Sequence, residues 1–162
     1  GEEKKPSMEV SFHAWILKTF PSINCVCHTH PTNTIKILCS SRLYDFANKR
    51  LFPDQVVRNG IKSCVVPYAT PGLPLREAIK ISVEDFMGRN GFFPKLILLK
   101  NHGIITTGAS VRECTVSTLM CEKSAEIFIG AKLLNNIQFL TPQEVAAVDT
   151  NPSEKYRREL YK

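Results

Sequence analysis

His28 and His30 stand one residue apart in the run Ile23-Asn24-Cys25-Val26-Cys27-His28-Thr29-His30-Pro31. If residues 23–29 form a β-strand, alternate side chains point to the same face. Val26, His28 and His30 then share one side, and Cys25, Cys27 and Thr29 the other. Two imidazoles at i and i+2 on a rigid strand can converge on one metal ion. The same pattern also fits two polar residues at a strand end. His102 adds weight to the metal reading: it follows the apolar run Leu96-Ile97-Leu98-Leu99 and precedes Gly103. Glycine permits a sharp turn or a close backbone approach, and α/β proteins tend to carry their sites at the C-terminal ends of strands. Three imidazoles with an open fourth position form a common catalytic zinc arrangement. The opposite facing of Cys25 and Cys27 argues against their joining the same site.

Glu9 is a further candidate, because a carboxylate beside a metal can move protons. Its ordinary alternative is a surface charge favoured by the helix dipole in a first turn. His13 lies one turn later on the same helix face.

The elements that would position these residues follow from apolar periodicity and from stop signals. Residues 6–20 read as an amphipathic helix capped by Ser7 and ended by Pro21. Residues 23–29 read as a strand buried on both faces, after which Pro31 opens a helix through about Ser41. Residues 42–60 read as a short helical piece and a Pro53–Asp54 turn. Ser63 to Tyr68 reads as a strand, Thr70-Pro71-Gly72 as a loop, and Leu75 to Asn90 as a helix ended by Gly91. Lys95 to Lys100 reads as a strand, broken at Asn101-His102-Gly103 and continued by a paired strand from Ile104 to Thr107. Val111 to Leu134 reads as a long helix with Ser110 and Glu113 in the capping-box positions. Short helical pieces follow in the tail, 140–162. Helices alternating with few strands give an α/β layered class.

Composition narrows the function classes. The chain has 162 residues, 43% hydrophobic and 22% charged, which suits one soluble domain spanning 1–162. No apolar run approaches the roughly 20 residues that cross a bilayer, and Gly1-Glu2-Glu3-Lys4-Lys5-Pro6 is no signal peptide. We therefore expect no membrane association and a cytoplasmic setting. Six cysteines are present without a C-x-x-C pair, so reduced, buried thiols are expected rather than a disulfide framework. The net charge of +6 comes from scattered basic residues, apart from Lys155, Arg157 and Arg158. Without a nucleic-acid module motif it points to no nucleic-acid partner.

The motifs in their order resemble a known family. Pro6-Ser7-Met8-Glu9 with His13, then His28-Thr29-His30-Pro31, then Asn101-His102-Gly103 is similar to the class II aldolase/adducin-head family, over roughly residues 6–160. Phe52-Pro53-Asp54-Gln55-Val56-Val57, Val65-Val66-Pro67-Tyr68 and Pro71-Gly72-Leu73-Pro74-Leu75 resemble its sugar-aldolase-like branches.

The resemblance implies an α/β/α sandwich around a mainly antiparallel sheet. It implies that His28, His30 and His102 hold Zn2+, or another divalent ion such as Co2+, Mn2+ or Fe2+, and that Glu9 is the catalytic acid/base. It implies an aldolase that cleaves or forms a C–C bond in a small sugar or sugar-phosphate through an enediolate. Epimerases and dehydratases of the family share that enediolate, so these motifs do not separate them. A non-catalytic adducin-head-like interaction domain is the reading from another class. Adducin-type heads lack the intact ligands, and all three histidines and Glu9 are present here. Members are commonly homotetramers, some assisted by a neighbouring subunit's tyrosine, which brings in Tyr156 and Tyr161. Members also carry a sizeable segment before the Pro-Ser-x-Glu motif, with a Gly-Asn loop that cradles phosphate. Only five residues precede Pro6, so the domain is expected to be short at its N-terminus, and phosphate recognition stays open.

Overall fold

The structure, a computed structural model, describes residues 6–160 apart from the side chain of Arg158; Gly1–Lys5, Tyr161 and Lys162 lie outside the described residues. Four strands form one sheet: β1 (Cys25–Thr29), β2 (Cys64–Val66), β3 (Leu96–Leu99) and β4 (Gly103–Gly108). Their order is β1-β4-β3-β2. β1 runs antiparallel to β4, with Thr29 opposite Ile104. β4 runs antiparallel to β3, with Leu99 opposite Gly103, and only β2 is parallel to its neighbour.

The central strand β3 explains the layering. Its four residues are all buried, and alternate side chains feed opposite faces. Ile97 and Leu99 join Phe12 and Ile16 of α1 (Val10–Thr19) and Ile79, Val83 and Phe86 of α5 (Leu73–Asn90). Leu96 and Leu98 join Ile37 and Leu38 of α2 (Thr32–Leu38), Phe46 of α3 (Leu43–Asn48) and Cys121, Ala125 and Phe128 of α6 (Val111–Leu133). Helices cover both faces of a mainly antiparallel sheet, so the α/β/α sandwich holds.

Several boundaries differ from expectation, each for a local reason. α1 begins at Val10, not at residue 6. The Ser7 hydroxyl accepts the Glu9 N–H at 3.3 Å and its carbonyl accepts the Val10 N–H at 3.1 Å. An extra turn therefore precedes the helix and puts Glu9 at the cap position. β1 is half-buried throughout, because it is a sheet edge rather than a central strand. Pro53 and Asp54 do not make a simple turn. Pro53 occupies the first position of α4 (Pro53–Asn59), where its missing N–H costs nothing. Gly91 ends α5 in the left-handed region at φ 77°, as the sequence indicates. Ser110 caps α6 by accepting the Glu113 N–H, but the Glu113 carboxylate takes the Ala109 N–H at 2.8 Å. α7 (Pro142–Thr150) and α8 (Pro152–Glu159) follow on the surface.

All six cysteines are free thiols, with Cys64, Cys114 and Cys121 buried, Cys25 and Cys27 half-buried, and Cys39 exposed against expectation. Burial pushes the Cys64 and Cys121 thiols up to about 12. Among the described residues no helix is long and apolar enough to cross a membrane.

Candidate metal centre

Three elements meet at one end of the sheet. β1 ends at Thr29, β3 ends at Leu99, and the turn Lys100-Asn101-His102 reverses the chain into β4. Asn101 takes the left-handed conformation in that turn, at φ 56°. The reversal sets His102 beside His28 and His30, and α1 delivers Glu9 from above the same strand end.

One ligand atom from each of His28, His30 and His102 lies within 4.8 Å of the others. The Nε2 atoms of His28 and His30 face each other at 3.0 Å. Glu9 Oε1 sits 3.3 Å from His28 Nε2 and 3.4 Å from His102 Nε2. The expected four residues therefore converge. His13 does not join them; its ring stacks on Phe12, with centroids 4.6 Å apart.

The tautomer of His28 follows from its partner. Its Nδ1 lies 2.9 Å from the Ile104 carbonyl, and a carbonyl only accepts, so Nδ1 carries the proton. The Nε2 lone pair is then directed at His30 and Glu9. A carbonyl that fixes the tautomer of a histidine in this way is the usual outer partner of a metal ligand. Burial lowers the pKa of His28, with the Ile104 carbonyl and Glu9 acting the other way. Burial, and then His28, lower that of His102. Both rings thus stay neutral at pH 7 and keep a lone pair. Nδ1 of His102 is buried and has no hydrogen-bond partner among the described residues. Convergent neutral nitrogens, a pinned tautomer and an adjacent carboxylate fit a divalent cation.

Gly103 has no room for a side chain, a constraint that the sequence shows only in part. A Cβ built there would meet His30 Cδ2 at 2.4 Å, the Thr29 carbonyl oxygen at 2.6 Å and His30 Nε2 at 3.1 Å. The close approach, not the turn, demands glycine, since the left-handed residue is Asn101. Glu122, which sequence reasoning did not single out, reaches with its carboxylate from α6 to the start of α2, just after His30. Tyr156 is exposed on α8.

Volume does not identify this site. A cleft of about 550 Å3, lined by Ile61, Phe139, Leu140 and Val145 among others, lies near the N-terminal end of β2, at the opposite end of the sheet from the histidines. The chemistry of the converging donors, rather than cleft size, marks the candidate centre.

The family model described as Class II Aldolase and Adducin N-terminal domain matches residues 1–129. The chain is 32% identical over 142 residues to the 3-oxo-tetronate 4-phosphate decarboxylase of Haemophilus influenzae, covering 87% of this chain and 63% of that protein. It is 28% identical over 135 residues to an L-fuculose phosphate aldolase of Methanococcus maripaludis, covering 83% and 65%. A solved L-fuculose 1-phosphate aldolase superposes with a TM-score of 0.75 at 22% identity, covering 96% of this chain and 66% of the other. The chain thus spans less than two thirds of the length of these two curated relatives.

Proposed function

We propose that this chain, which belongs to the Class II Aldolase and Adducin N-terminal domain family, is a divalent-metal-dependent aldehyde-lyase acting on a small sugar or sugar-phosphate. The observation that carries the reading is the convergence of His28, His30 and His102, with the Glu9 carboxylate at 3.3 and 3.4 Å from two of the rings. Residues 1–162 are read as one domain of this type. Its homotetrameric assembly is carried over from the family resemblance and its cytoplasmic setting from the composition of the chain, as parts of the proposal.

His28, His30 and His102 would hold the cation, and three imidazoles favour Zn2+, with Co2+, Mn2+ and Fe2+ as alternatives. When bound, such an ion supplies Lewis acidity to carbonyl and hydroxyl oxygens. The remaining work belongs to the protein. The Ile104 carbonyl keeps the proton of His28 on Nδ1, so this ring can only accept at Nε2. Glu9 stands at the mouth of the site with about a quarter of its side chain exposed. It can therefore take a proton from a substrate hydroxyl or return one to the carbon left electron-rich by C–C cleavage. Its Oε1 lies 3.3 and 3.4 Å from the Nε2 atoms of two rings, which places the carboxylate beside the cation that those rings would hold.

A second reading is favoured by the relatives named 3-oxo-tetronate 4-phosphate decarboxylase. Decarboxylation next to a carbonyl also breaks a C–C bond and leaves the same electron pair on carbon. The histidines and Glu9 serve both reactions, and the bond chosen depends on how the substrate carboxylate is placed. Epimerase and dehydratase activities stand behind these two.

The test is elemental analysis of protein purified without chelator or histidine tag, followed by screens of ketose phosphates for aldehyde release and of 3-oxo acids for CO2 release. About one divalent ion per chain with either release supports the proposal. A folded protein that takes up no divalent ion on dialysis refutes it.

A further inference from the structure

We infer that Glu122 is a positioning residue for His30, acting across the fold through the first turn of α2. The inference rests on the metal-centre reading above.

α2 begins directly after the His30-Pro31 step, and its N-cap is Pro31. The first N–H groups of a helix lack intrahelical partners and are normally met by a Ser, Thr, Asp or Asn side chain at the cap. Proline has no such acceptor, and Pro31 makes no side-chain cap. The acceptor comes instead from α6. Glu122 Oε1 accepts the Asn33 N–H at 2.8 Å, while Oε2 accepts the Thr34 N–H and the Thr34 hydroxyl, each at 2.9 Å. Thr34 is fully buried, so water is a poor substitute for the acceptor of its N–H and hydroxyl. Burial alone would raise the Glu122 carboxyl. The Asn33 and Thr34 hydrogen bonds outweigh it, and the group titrates below the ordinary range. It is therefore a carboxylate at neutral pH, the form that accepts at both oxygens.

The consequence for His30 is geometric. His30 itself is exposed and lies just past the end of β1. Two anchors hold the backbone on either side of it. One is the ladder pairing of Thr29 with Ile104; the other is the Glu122 clamp on Asn33 and Thr34. Pro31 stiffens the link between His30 and the second anchor, with φ at −70°. Release of the clamp frees the first turn of α2, and with it the backbone that aims the His30 ring. His28 is secured separately by the Ile104 carbonyl. Glu122 should therefore govern the aim of His30 more than that of His28.

The experiment uses the full chain and Co2+ as probe, with Glu122→Ala, Glu122→Gln and, as a charge-matched control, exposed Glu126→Ala on the same helix. The readouts are Co2+ affinity by competition, the visible spectrum of bound Co2+, and the ring resonances of His28 and His30 in the metal-free protein. Glu122→Ala should weaken Co2+ binding by about 10-fold, the lower end of the loss caused by removing a partner bonded directly to a ligand. It should also alter the Co2+ spectrum and move the His30 resonances more than those of His28, whose ring lies against it. Glu126→Ala should match wild type in all three. If Glu122→Ala does not fold, Glu122→Gln decides: it keeps only one acceptor oxygen and should show the same changes at smaller size. Wild-type affinity and wild-type His30 resonances in a folded Glu122 variant overturn the inference. Failure of the wild-type protein to bind Co2+ sinks the metal-centre reading instead. In that case the metal-free ring resonances still decide whether Glu122 positions His30.

Discussion

Gly103→Ala puts the packing of the centre to a direct test. The added methyl carbon would stand 2.4 Å from His30 Cδ2, whereas ordinary contact begins near 3.4 Å. The His30 ring must therefore withdraw by about 1 Å, well beyond the roughly 0.2 Å tolerance of a metal–nitrogen bond. Backing away elsewhere is blocked, because the same carbon meets the Thr29 carbonyl oxygen at 2.6 Å. That oxygen belongs to the β1–β4 ladder. Loss of one imidazole ligand should lower metal affinity by at least about 100-fold, the scale on which 1 Å misplacements act. Overpacking of this kind costs about 1–3 kcal/mol, which in a chain of this size lowers Tm by about 2–4 °C per kcal/mol. Gly130→Ala is the control. Gly130 lies within α6 and a Cβ there meets nothing within 4 Å, so helix propensity alone acts and stability should rise by about 0.5–1 kcal/mol. The assay is Zn2+ competition against a chromophoric chelator, with calorimetry in parallel. A Gly103→Ala protein that binds Zn2+ like wild type would refute the steric reasoning and remove His30 from the centre.

Four further outcomes are expected. His28→Ala should abolish stoichiometric metal uptake, read by elemental analysis after dialysis; full occupancy would contradict the three-histidine site. Glu9→Gln should keep the metal and lose about 10²- to 10⁴-fold in turnover, measured once a substrate is found; unchanged turnover would remove Glu9 as acid/base. Arg50→Met should destabilise by about 3–5 kcal/mol in chemical denaturation. The Arg50 guanidinium is buried and donates to the carbonyls of Phe46, Ala47, Lys49 and Gly60 and to the Ser63 hydroxyl, and a methionine leaves all of them without that donor. For pH, the Glu122 carboxyl is depressed from an ordinary value of 4.5, so the unfolded chain binds the proton more readily. Its stabilisation is present above about pH 4.5 and is lost as pH falls through the lower folded value. The Tm gap between wild type and Glu122→Gln should narrow on acidification below that range, and a gap that widens would reverse the sign.

The candidate histidines were legible because they need only local rules, whereas Glu9 stood out only through the family resemblance. Period-two alternation places His28 and His30 on one side of β1, and the buried run Leu96–Leu99 followed by a glycine marks where His102 must emerge. The class of fold followed from the same periodicities. The boundaries that failed depend on tertiary partners. β1 reads as a central strand because Cys25, Val26 and Cys27 are apolar, yet nothing within the strand says that it takes a sheet edge. Pro53 reads as a turn because proline breaks helices, but a proline at the first helical position starts one just as well. Only packing under α6 decides between them.

The same distinction separates ligands from the residues that aim them. A ligand betrays itself by type and spacing, whereas an outer residue is identified by what its neighbour lacks. Glu122 lies 88 residues from Thr34 along the chain, on a helix whose exposed face is rich in charge, and no motif singles it out. What the sequence does contain is the deficit: a helix that begins on Pro31 has unmet N–H groups and no side chain of its own to meet them. Buried donors must find an acceptor, so a proline at that cap implies a partner reaching in from another element, although not which one. A deficit of this kind beside a candidate metal ligand marks where a positioning residue has to lie, and the fold then supplies its identity.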